Sequence, residues 1–340
     1  MSAAVYVQTN EPENRVLAFR RDADGALGVL GAYPTGGAGD GAPHLTSQGS
    51  VVLSDDGRHL LVTNAASHDV SLFEVVDDGL TLLDTAASGG EAPKSVAEHE
   101  GLVYVLNTGA ASLAGFRIGE SGLEPIHRSE RSLAPDADPA QVGFRPDGAA
   151  LVVTDRGTDS IVVYPVERDG RLGVAAVHPS AGPTPYGFAF TRRGTLVVTE
   201  AFGAQTGKAA ASSYALDNGS IATVTSSVGN GRSEICWAVV TSDDRYAFTT
   251  NFGDGAVSRY AIQPDGTLVL EDAAAAVAVE GEKGLRDEGL SGDGRFLYAI
   301  DGCAAHLRLE RRSRGSSLTR RLVGGCARDG GGSRRLLTPL

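Results

Sequence analysis

The chain has 340 residues, 41% of them hydrophobic, and a formal net charge of −12 at pH 7. This acidity argues against nucleic acid or an anionic membrane as the main partner, because both require a basic face. The apolar fraction is sufficient for a folded core, yet no apolar run approaches the roughly 20 residues that span a bilayer.

One phrase recurs along the chain, and its clearest copy runs from Ser54 to Asn64. It contains an acidic-glycine turn and an apolar strand that ends in Asn64, and a second strand, Val70–Val75, follows after a short turn. Seven copies align on the polar residue that ends the first of these strands, at spacings of 43 to 54 residues. In chain order these residues are Asn10, Asn64, Asn107, Asp155, Glu200, Asn251 and Asp301.

Repeats of roughly 40–50 residues with several short strands are typical of β-propellers, in which each repeat forms one blade. Runs such as Leu151–Val153 have the length and composition of strands, and no window places apolar residues at helical spacing. We therefore predict an all-β, seven-bladed propeller of four-stranded antiparallel blades. The recurring amide side chains at the strand ends are predicted to cap turns rather than to bind a ligand.

The first and last copies of the phrase are irregular. Complete copies begin with an inner strand before the acidic-glycine turn, as in Val51–Ser54, whereas the N-terminal copy opens directly on the second strand, Val5–Asn10. The missing inner strand would have to come from the C-terminus, as in many closed propellers, which leave no unpaired edge.

The composition changes abruptly at Cys303. Residues 303–340 contain nine Arg, no Lys and only two acids, so this segment carries +7 against −19 for residues 1–302. One interpretation is a basic tail that binds an acidic partner; the other is a slip of the reading frame near residue 302. We predict a propeller domain at 1–302 and an aberrant Arg-rich segment at 303–340 in place of the closing strands, with the last blade incomplete or aberrant.

The remaining composition indicates a cytoplasmic protein. The cysteines are Cys236, Cys303 and Cys326, an odd number without a CxxC motif, and the first strand follows the initiator Met too closely for a signal peptide. None of the seven histidines repeats with metal-ligand spacing, so we expect neither a metal nor a cofactor.

Several motifs resemble the lactonase-type seven-bladed propellers, a family that includes the 6-phosphogluconolactonase of some bacteria. They are the Ser-x-Asp-Gly-Arg phrase at Ser54–Leu60 and Ser291–Tyr298, the Asp-Gly-x-Leu phrase at Asp169–Leu172, and the segment Gly182–Phe190. The resemblance covers about residues 3–302. It implies a hydrolase of carbohydrate metabolism that opens a small sugar-type lactone.

A propeller binds ligands at the mouth of its central channel, on the segments that lead into the inner strands. Opening a lactone requires a base that activates water and a cation or amide donor for the developing oxyanion. We predict Glu234 or Asp287 as the base and Arg286 as the cation. The predicted substrate-binding residues are His44, Lys94, Gln141, Tyr186 and Trp237.

Two other functions remain open. The hydrolases that the chain resembles have Arg-His pairs at mouth positions where this sequence has Ala140-Gln141 and Thr184-Pro185. This difference favours a non-catalytic propeller that binds a small molecule or peptide. A cycloisomerase acting on muconate-type lactones is a further alternative, because that activity occurs on the same fold.

Overall fold

The computed structural model describes residues 4–42, 45, 47–217, 219–278 and 283–301, and the backbone of two further strands at 306–311 and 318–323. Within these ranges the chain forms 28 strands and a single 3-10 turn, Phe202–Ala204. The strands form antiparallel sheets arranged as a β-propeller, which confirms the predicted all-β propeller fold. Six sheets have four or five strands, and one sheet has three.

Strands pair with their neighbours in sequence in every sheet, except that the last strand of the third sheet pairs with the strand two before it, so the blades follow one another in chain order. The first sheet comprises β1 (Ala4–Gln8), β2 (Arg15–Arg21) and β3 (Leu27–Pro34), and the second comprises β4 (Val51–Leu53), β5 (His59–Asn64), β6 (Asp69–Val76) and β7 (Gly79–Ala87). The third sheet comprises β8 (Pro93–His99), β9 (Leu102–Asn107), β10 (Ser112–Gly119), β11 (Gly122–Pro125) and β12 (Arg131–Ser132). The fourth comprises β13 (Pro139–Phe144), β14 (Ala150–Asp155), β15 (Ser160–Pro165) and β16 (Ala176–Pro179).

The last three sheets have four strands each. They comprise β17 (Pro185–Phe190), β18 (Thr195–Glu200), β19 (Ala210–Asp217) and β20 (Ser220–Gly229); β21 (Ile235–Val240), β22 (Tyr246–Asn251), β23 (Ala256–Ile262) and β24 (Leu268–Val277); and β25 (Arg286–Leu290), β26 (Phe296–Ile300), β27 (His306–Arg311) and β28 (Leu318–Val323). The first strand of each complete sheet contacts the first strand of the next, so we call β4, β8, β13, β17, β21 and β25 the inner strands.

The acidic-glycine turn of the repeated phrase is held by its own side chains. Ser54 Oγ donates to Asp56 Oδ1 at 2.6 Å, and the same carboxylate accepts the Arg58 amide at 2.9 Å. The Ser54 hydroxyl contributes most to lowering the pKa of Asp56. Gly57 has a φ of 69°, a conformation that glycine adopts without steric cost. The 2.6 Å hydroxyl–carboxylate contact recurs between Thr241 and Asp243 and between Ser291 and Asp293.

The strand-end amides are buried caps, as predicted. Asn64 is fully buried, and its Oδ1 accepts hydrogen bonds from Asn14 at 2.7 Å and from Thr35 at 2.8 Å. Its Nδ2 donates to Ser71 Oγ at 2.8 Å. Asn251 is used in the same way, because it accepts from Asn230 at 2.9 Å. These amides therefore join the ends of neighbouring strands and are not available to a ligand.

The core is divided among the interfaces between neighbouring sheets. In β14, Leu151 and Val153 pack in one cluster with Tyr104 of the preceding blade, while Val152 packs in another with Tyr214 of the following blade. A middle strand is thus covered on both faces, because successive side chains point to opposite sides. This is why such strands are continuous apolar runs in the sequence.

The missing inner strand is in the first sheet. The strands β1, β2 and β3 form a three-stranded sheet that begins with the counterpart of β5, as the register of the repeat predicts. The last sheet has four strands, so the expected shortage of strands in the last blade is wrong. Alternating apolar residues in His306–Arg311 and Leu318–Val323 are sufficient for strand pairing. The predicted boundary at residue 302 lies between β26 and β27.

Candidate functional site

Five inner strands begin with a register shift that bends the backbone at the channel mouth. A bulge places two residues opposite one and changes the direction of a side chain. Thr184, Glu234 and Asp287 lie at or next to these shifts and have positive φ angles of 57°, 53° and 35°. The shifts lie between Pro93 and Ser95, Pro139 and Gln141, Pro185 and Phe188, Ile235 and Ala238, and Arg286 and Glu288.

Six of the eight predicted site residues lie at these register shifts. Lys94, Tyr186 and Arg286 occupy the first of two successive positions, and Gln141, Trp237 and Asp287 occupy the second. The residues selected from the sequence therefore lie at the starts of inner strands, and their role in a site stays a prediction. Their equivalence around the ring does not bring all of them into one pocket, and their surroundings differ.

Tyr186 and Trp237 are brought together, and both are buried. Their ring centroids are 6.0 Å apart at an interplanar angle of 66°, and they share a cluster with Ala140 and Cys236. Trp237 is 1% exposed, and its Nε1 donates to the carbonyl of Ser47 at 3.2 Å. Burial raises the pKa of Tyr186 and of the Cys236 thiol. The two rings form blade-to-blade packing and present no open platform.

A short segment before β4 crosses the channel mouth, a feature that the sequence analysis missed. The Gln48 side chain donates to the Ala238 carbonyl at 2.9 Å and accepts the Ala238 amide at 3.1 Å. Ser95 Oγ donates to the Gln48 carbonyl at 2.6 Å, and Ser47 Oγ donates to the carbonyl of Ala140. Residues 47 and 48 thus connect β8, β13 and β21.

The predicted polar ligands Gln141 and Lys94 already have protein partners. Gln141 Nε2 donates to the Phe188 carbonyl at 3.1 Å, and its Oε1 accepts the Phe188 amide at 2.6 Å. Lys94 Nζ lies 3.5 Å from a carboxylate oxygen of Asp40. Both side chains are positioned at the mouth, but substrate would have to compete with these contacts.

Arg156 is a mouth cation that the sequence analysis did not select. Its guanidinium lies 4.9 Å from the ring centroid of Tyr186, and it pairs with Asp138 at 2.6 Å. Arg156 directly follows Asp155, the strand-end residue of its repeat, so the repeat register placed it at the mouth. A survey of residues that follow the strand ends would have found it.

Glu234 does not join the other candidates. Glu234 pairs with Lys283, and its backbone carbonyl accepts the Cys236 thiol at 3.3 Å. Glu234 does not line the cavity between the first sheet and its two neighbours. His44 lies outside the described residues, so its predicted role stays a prediction.

A cavity of about 620 Å³ lies between the first sheet and its two neighbours. All five residues of β1 line it, together with Val51 and Leu53 of β4 and residues of β25 and β26. Asp287 and Glu288 lie among these residues, as does Gln8. The cavity therefore occupies the place where an inner strand would pair with β1.

Asp287 and Glu288 form an acidic pair with unusual electrostatics. Burial raises the pKa of Asp287 to about 6, although the Glu288 amide donates to it at 2.9 Å and Arg286 opposes the rise. Burial and the Asp287 charge raise the pKa of Glu288 further, and the Thr250 amide acts in the opposite direction. Both Glu288 oxygens are buried without a hydrogen-bond partner among the described residues. Burial lowers the pKa of Arg286, against the influence of Asp301 and Asp287.

A profile of the family "Lactonase, 7-bladed beta-propeller" matches residues 2–124 and 123–201. The chain belongs to this lactonase family. No curated protein matches its sequence. The family assignment therefore rests on the profile, which covers more than half of the chain, and on the propeller architecture.

Solved structures show the same fold at low sequence identity. The Pseudomonas aeruginosa periplasmic gluconolactonase PpgL is 19% identical, with a TM-score of 0.74 over 95% of this chain and 96% of that protein. A Bacteroides fragilis protein, to which 6-phosphogluconolactonase activity has been ascribed, is 19% identical, with a TM-score of 0.70 over 94% and 93%. Hydrazine synthase of Kuenenia stuttgartiensis, at 16% identity and a TM-score of 0.60 over 93% and 94%, has the fold as well. The fold alone therefore does not identify an activity.

The described part of this lactonase-family chain offers no group of three or more His, Cys, Asp or Glu side chains arranged to hold a metal ion. Nor do the described ranges contain a helix long and apolar enough to cross a membrane.

Proposed function

We propose that this lactonase-family protein is a seven-bladed ring, with β1–β3 as its unfinished blade, and that it hydrolyses a sugar-type lactone in the cytoplasm. The observation that carries the proposal is a half-buried carboxylate, Asp287, with a pKa of about 6, which lines the cavity and follows Arg286 directly. A general base is most effective when its pKa lies near the operating pH. Membership of the lactonase family supports hydrolysis of a lactone as the reaction.

The proposed reaction needs only these two side chains and water. The Asp287 carboxylate accepts a proton from a water molecule whose oxygen attacks the lactone carbonyl carbon. The Arg286 guanidinium donates hydrogen bonds to the oxyanion that forms. When the tetrahedral intermediate collapses, the ring C–O bond breaks and the departing oxygen takes the proton from Asp287. The product is the open-chain hydroxy acid, and the base is regenerated.

The charge distribution bears on the choice of substrate. A phosphosugar needs a cation that binds its phosphate. Within the described part of the chain, Lys94 and Arg156 are the cations at the channel mouth whose positions suit this role. Both are paired with carboxylates, Asp40 and Asp138. We propose 6-phosphogluconolactone as one substrate to test and unphosphorylated gluconolactone as the other, since the paired cations favour the latter.

The test measures hydrolysis of both lactones by the wild type and by four variants. We expect Asp287→Asn and Arg286→Ala to lower kcat/KM at least about 100-fold, and kcat/KM of the wild type to rise with pH through about 6. Glu234→Gln should leave kcat/KM nearly unchanged, because Glu234 is paired with Lys283 away from the cavity. Asp147→Asn, at a surface turn paired with Arg145, is the matched control.

Wild-type turnover in Asp287→Asn would refute this assignment, whereas loss of activity in Glu234→Gln alone would transfer the role of base to Glu234. Absence of turnover with binding of the lactone would favour the non-catalytic propeller. That alternative is supported by the engaged side chains of Gln141 and Trp237. No observation in the structure favours a cycloisomerase.

A further inference from the structure

We propose that the cavity beside β1 binds a primary ammonium group at Glu288 and Gln8, and that the substrate is a lactone whose ring carries such an amino group. The ammonium site follows from the lining of the cavity alone. The substrate class rests in addition on the proposed hydrolysis of a lactone.

Glu288 is the most deeply buried of the acids that line the cavity. Only 8% of the residue is exposed, and neither of its carboxyl oxygens has a hydrogen-bond partner among the described residues. A buried carboxyl group in this condition is costly, because it has lost contact with water without gaining protein hydrogen bonds. A ligand that donates hydrogen bonds to Glu288 would remove this cost.

Gln8 supplies a third oxygen, and the orientation of its amide is fixed. Its Nε2 donates to the carbonyl of Thr63 at 2.6 Å, so the nitrogen is already engaged. Its Oε1 is buried and has no partner within the part of the chain that the structure describes. Gln8 and Glu288 line the same cavity, which therefore has three oxygens in need of donors. A primary ammonium group has three N–H donors and no acceptor, so it matches this set.

The charges around the cavity favour a cation over a neutral donor. The lining residues include three acids, Asp287, Glu288 and Asp293, and one cation, Arg21. Arg21 pairs with Asp293 at 3.0 Å, which leaves Asp287 and Glu288 without a cation among the lining residues. A bound ammonium group would favour the ionised form of Glu288 and so oppose the rise in pKa that burial causes. A phosphate group would be repelled at the same place.

The remaining lining suits the carbon skeleton of a small ring. The volume of about 620 Å³ lies within the usual range of small-molecule pockets. Apolar side chains of two strands provide much of the wall, namely Val5, Val7, Val51 and Leu53. The cavity therefore combines one polar end, which lacks donors, with apolar sides.

The bulge of β25 brings the ammonium site next to the proposed base. Successive residues of a regular strand point to opposite faces, but the register shift between Arg286 and Glu288 changes this alternation. Asp287 and Glu288 consequently line one cavity. A lactone held by its ammonium group at Glu288 would have its ring beside Asp287. The ammonium group takes no part in bond breaking and keeps its protons.

Isothermal titration with a matched pair of non-hydrolysable ligands tests the ammonium site. The full-length wild type is titrated at pH 7 with α-amino-γ-butyrolactam and with γ-butyrolactam, which differ only in the amino group. We expect the amino lactam to bind at least about 10-fold more tightly, because charge-assisted hydrogen bonds are the stronger ones. Glu288→Gln keeps the shape and removes the charge, so the preference should fall to about twofold or less. Glu74→Gln, at an exposed position of β6, is the matched control and should retain the preference.

Hydrolysis of the corresponding lactones tests the substrate class. Values of kcat/KM are measured for α-amino-γ-butyrolactone and γ-butyrolactone with the same three proteins. The amino group changes the intrinsic reactivity of the ring, so each substrate is compared between the wild type and Glu288→Gln. We expect this substitution to lower kcat/KM at least about 10-fold for the amino lactone and less than about twofold for the plain lactone.

The outcomes separate the ammonium site from the lactonase activity. Equal affinity of the wild type for the two lactams would overturn the site, and this comparison does not depend on a variant that must fold. A preference that persists in Glu288→Gln would overturn the assignment to Glu288. Selective binding without hydrolysis of either lactone would support the site and refute the substrate class together with the proposed function. Hydrolysis of both lactones with equal losses in Glu288→Gln would overturn the substrate class and leave the proposed function intact.

Discussion

Replacing Asp287 by Asn should make the protein more stable at neutral pH, even though it removes the proposed base. Asp287 has a pKa of about 6 in the folded chain and an ordinary value of 3.8 in the unfolded chain. One pH unit of difference corresponds to 1.36 kcal/mol, so the complete effect is about 3 kcal/mol. Because Asp287 keeps some contact with solvent, which screens the charge, we expect a gain of about 1–3 kcal/mol.

The sign follows from proton binding. Below pH 3.8 the carboxyl group is protonated in both states, and the Asp287 side chain carries no penalty. Between pH 3.8 and about 6 the unfolded chain releases the proton while the folded chain retains it, so the stability of the wild type decreases. Above about pH 6 the loss is complete. Asn is neutral throughout, retains the oxygen that accepts the Glu288 amide, and tolerates the positive φ at this position.

Urea unfolding of the wild type and Asp287→Asn at pH 4, 5, 6 and 7.5 measures this difference. The two free energies of unfolding should nearly coincide at pH 4 and separate by about 1–3 kcal/mol at pH 7.5. Removal of the Asp287 charge also lessens the rise in the pKa of Glu288, and this coupled contribution adds to the gain of the variant at pH 7.5. Asp147→Asn, which removes an exposed carboxylate, should show no such separation. A constant difference across this pH range, or an Asn variant that is less stable at pH 7.5, would refute the electrostatic reasoning.

Three further substitutions test the packing at the mouth. Trp237→Ala should lower the free energy of unfolding by about 3–5 kcal/mol in urea unfolding, because the ring is buried among Tyr186 and Ala140; a loss below about 1 kcal/mol would contradict its role in the core. Gly187→Ala should be strongly destabilising, because a Cβ there would collide with the Cys236 carbonyl and with Gln48. Gly289→Ala on β25, where a Cβ would meet open space, is the matched control. Equal midpoints of thermal unfolding for the two variants would contradict the close approach of Gly187 to Cys236. Asn64→Ala should cost about 1–3 kcal/mol by leaving the hydroxyl of Ser71 and the amide of Asn14 without their partner, and an unchanged urea midpoint would remove its role as a cap.

The sequence was sufficient for the parts of the fold that repeat. The turn at Ser54–Gly57 depends on side chains that are close in sequence, so its hydrogen bonds could be anticipated from the phrase itself. The strand-end caps were also predictable, because a buried amide such as Asn64 serves the local backbone. The missing inner strand followed from counting the strands of the first copy against those of the others.

The parts that the sequence did not predict depend on contacts between distant segments. Gln48 binds Ala238, which is 190 residues away, and nothing in the repeated phrase indicates that this side chain crosses the ring. Burial of Trp237 follows from that crossing, since Ser47 accepts its indole N–H. The sequence also could not distinguish Glu234 from Asp287 as an acid. The former is paired with Lys283 and the latter is buried beside Glu288, and only the arrangement of neighbouring blades decides this.

The unfinished blade and the candidate base lie at the same place, and the two observations have one physical cause. At the bulge of β25 the ring places an acid, Asp287, where the equivalent position of β21 has Trp237. The indole ring fills its surroundings by packing, whereas the acidic pair borders a cavity that no described strand fills. A carboxylate there loses contact with bulk water without gaining protein contacts that stabilise its charge equally well. This loss raises its pKa toward the range useful for a base.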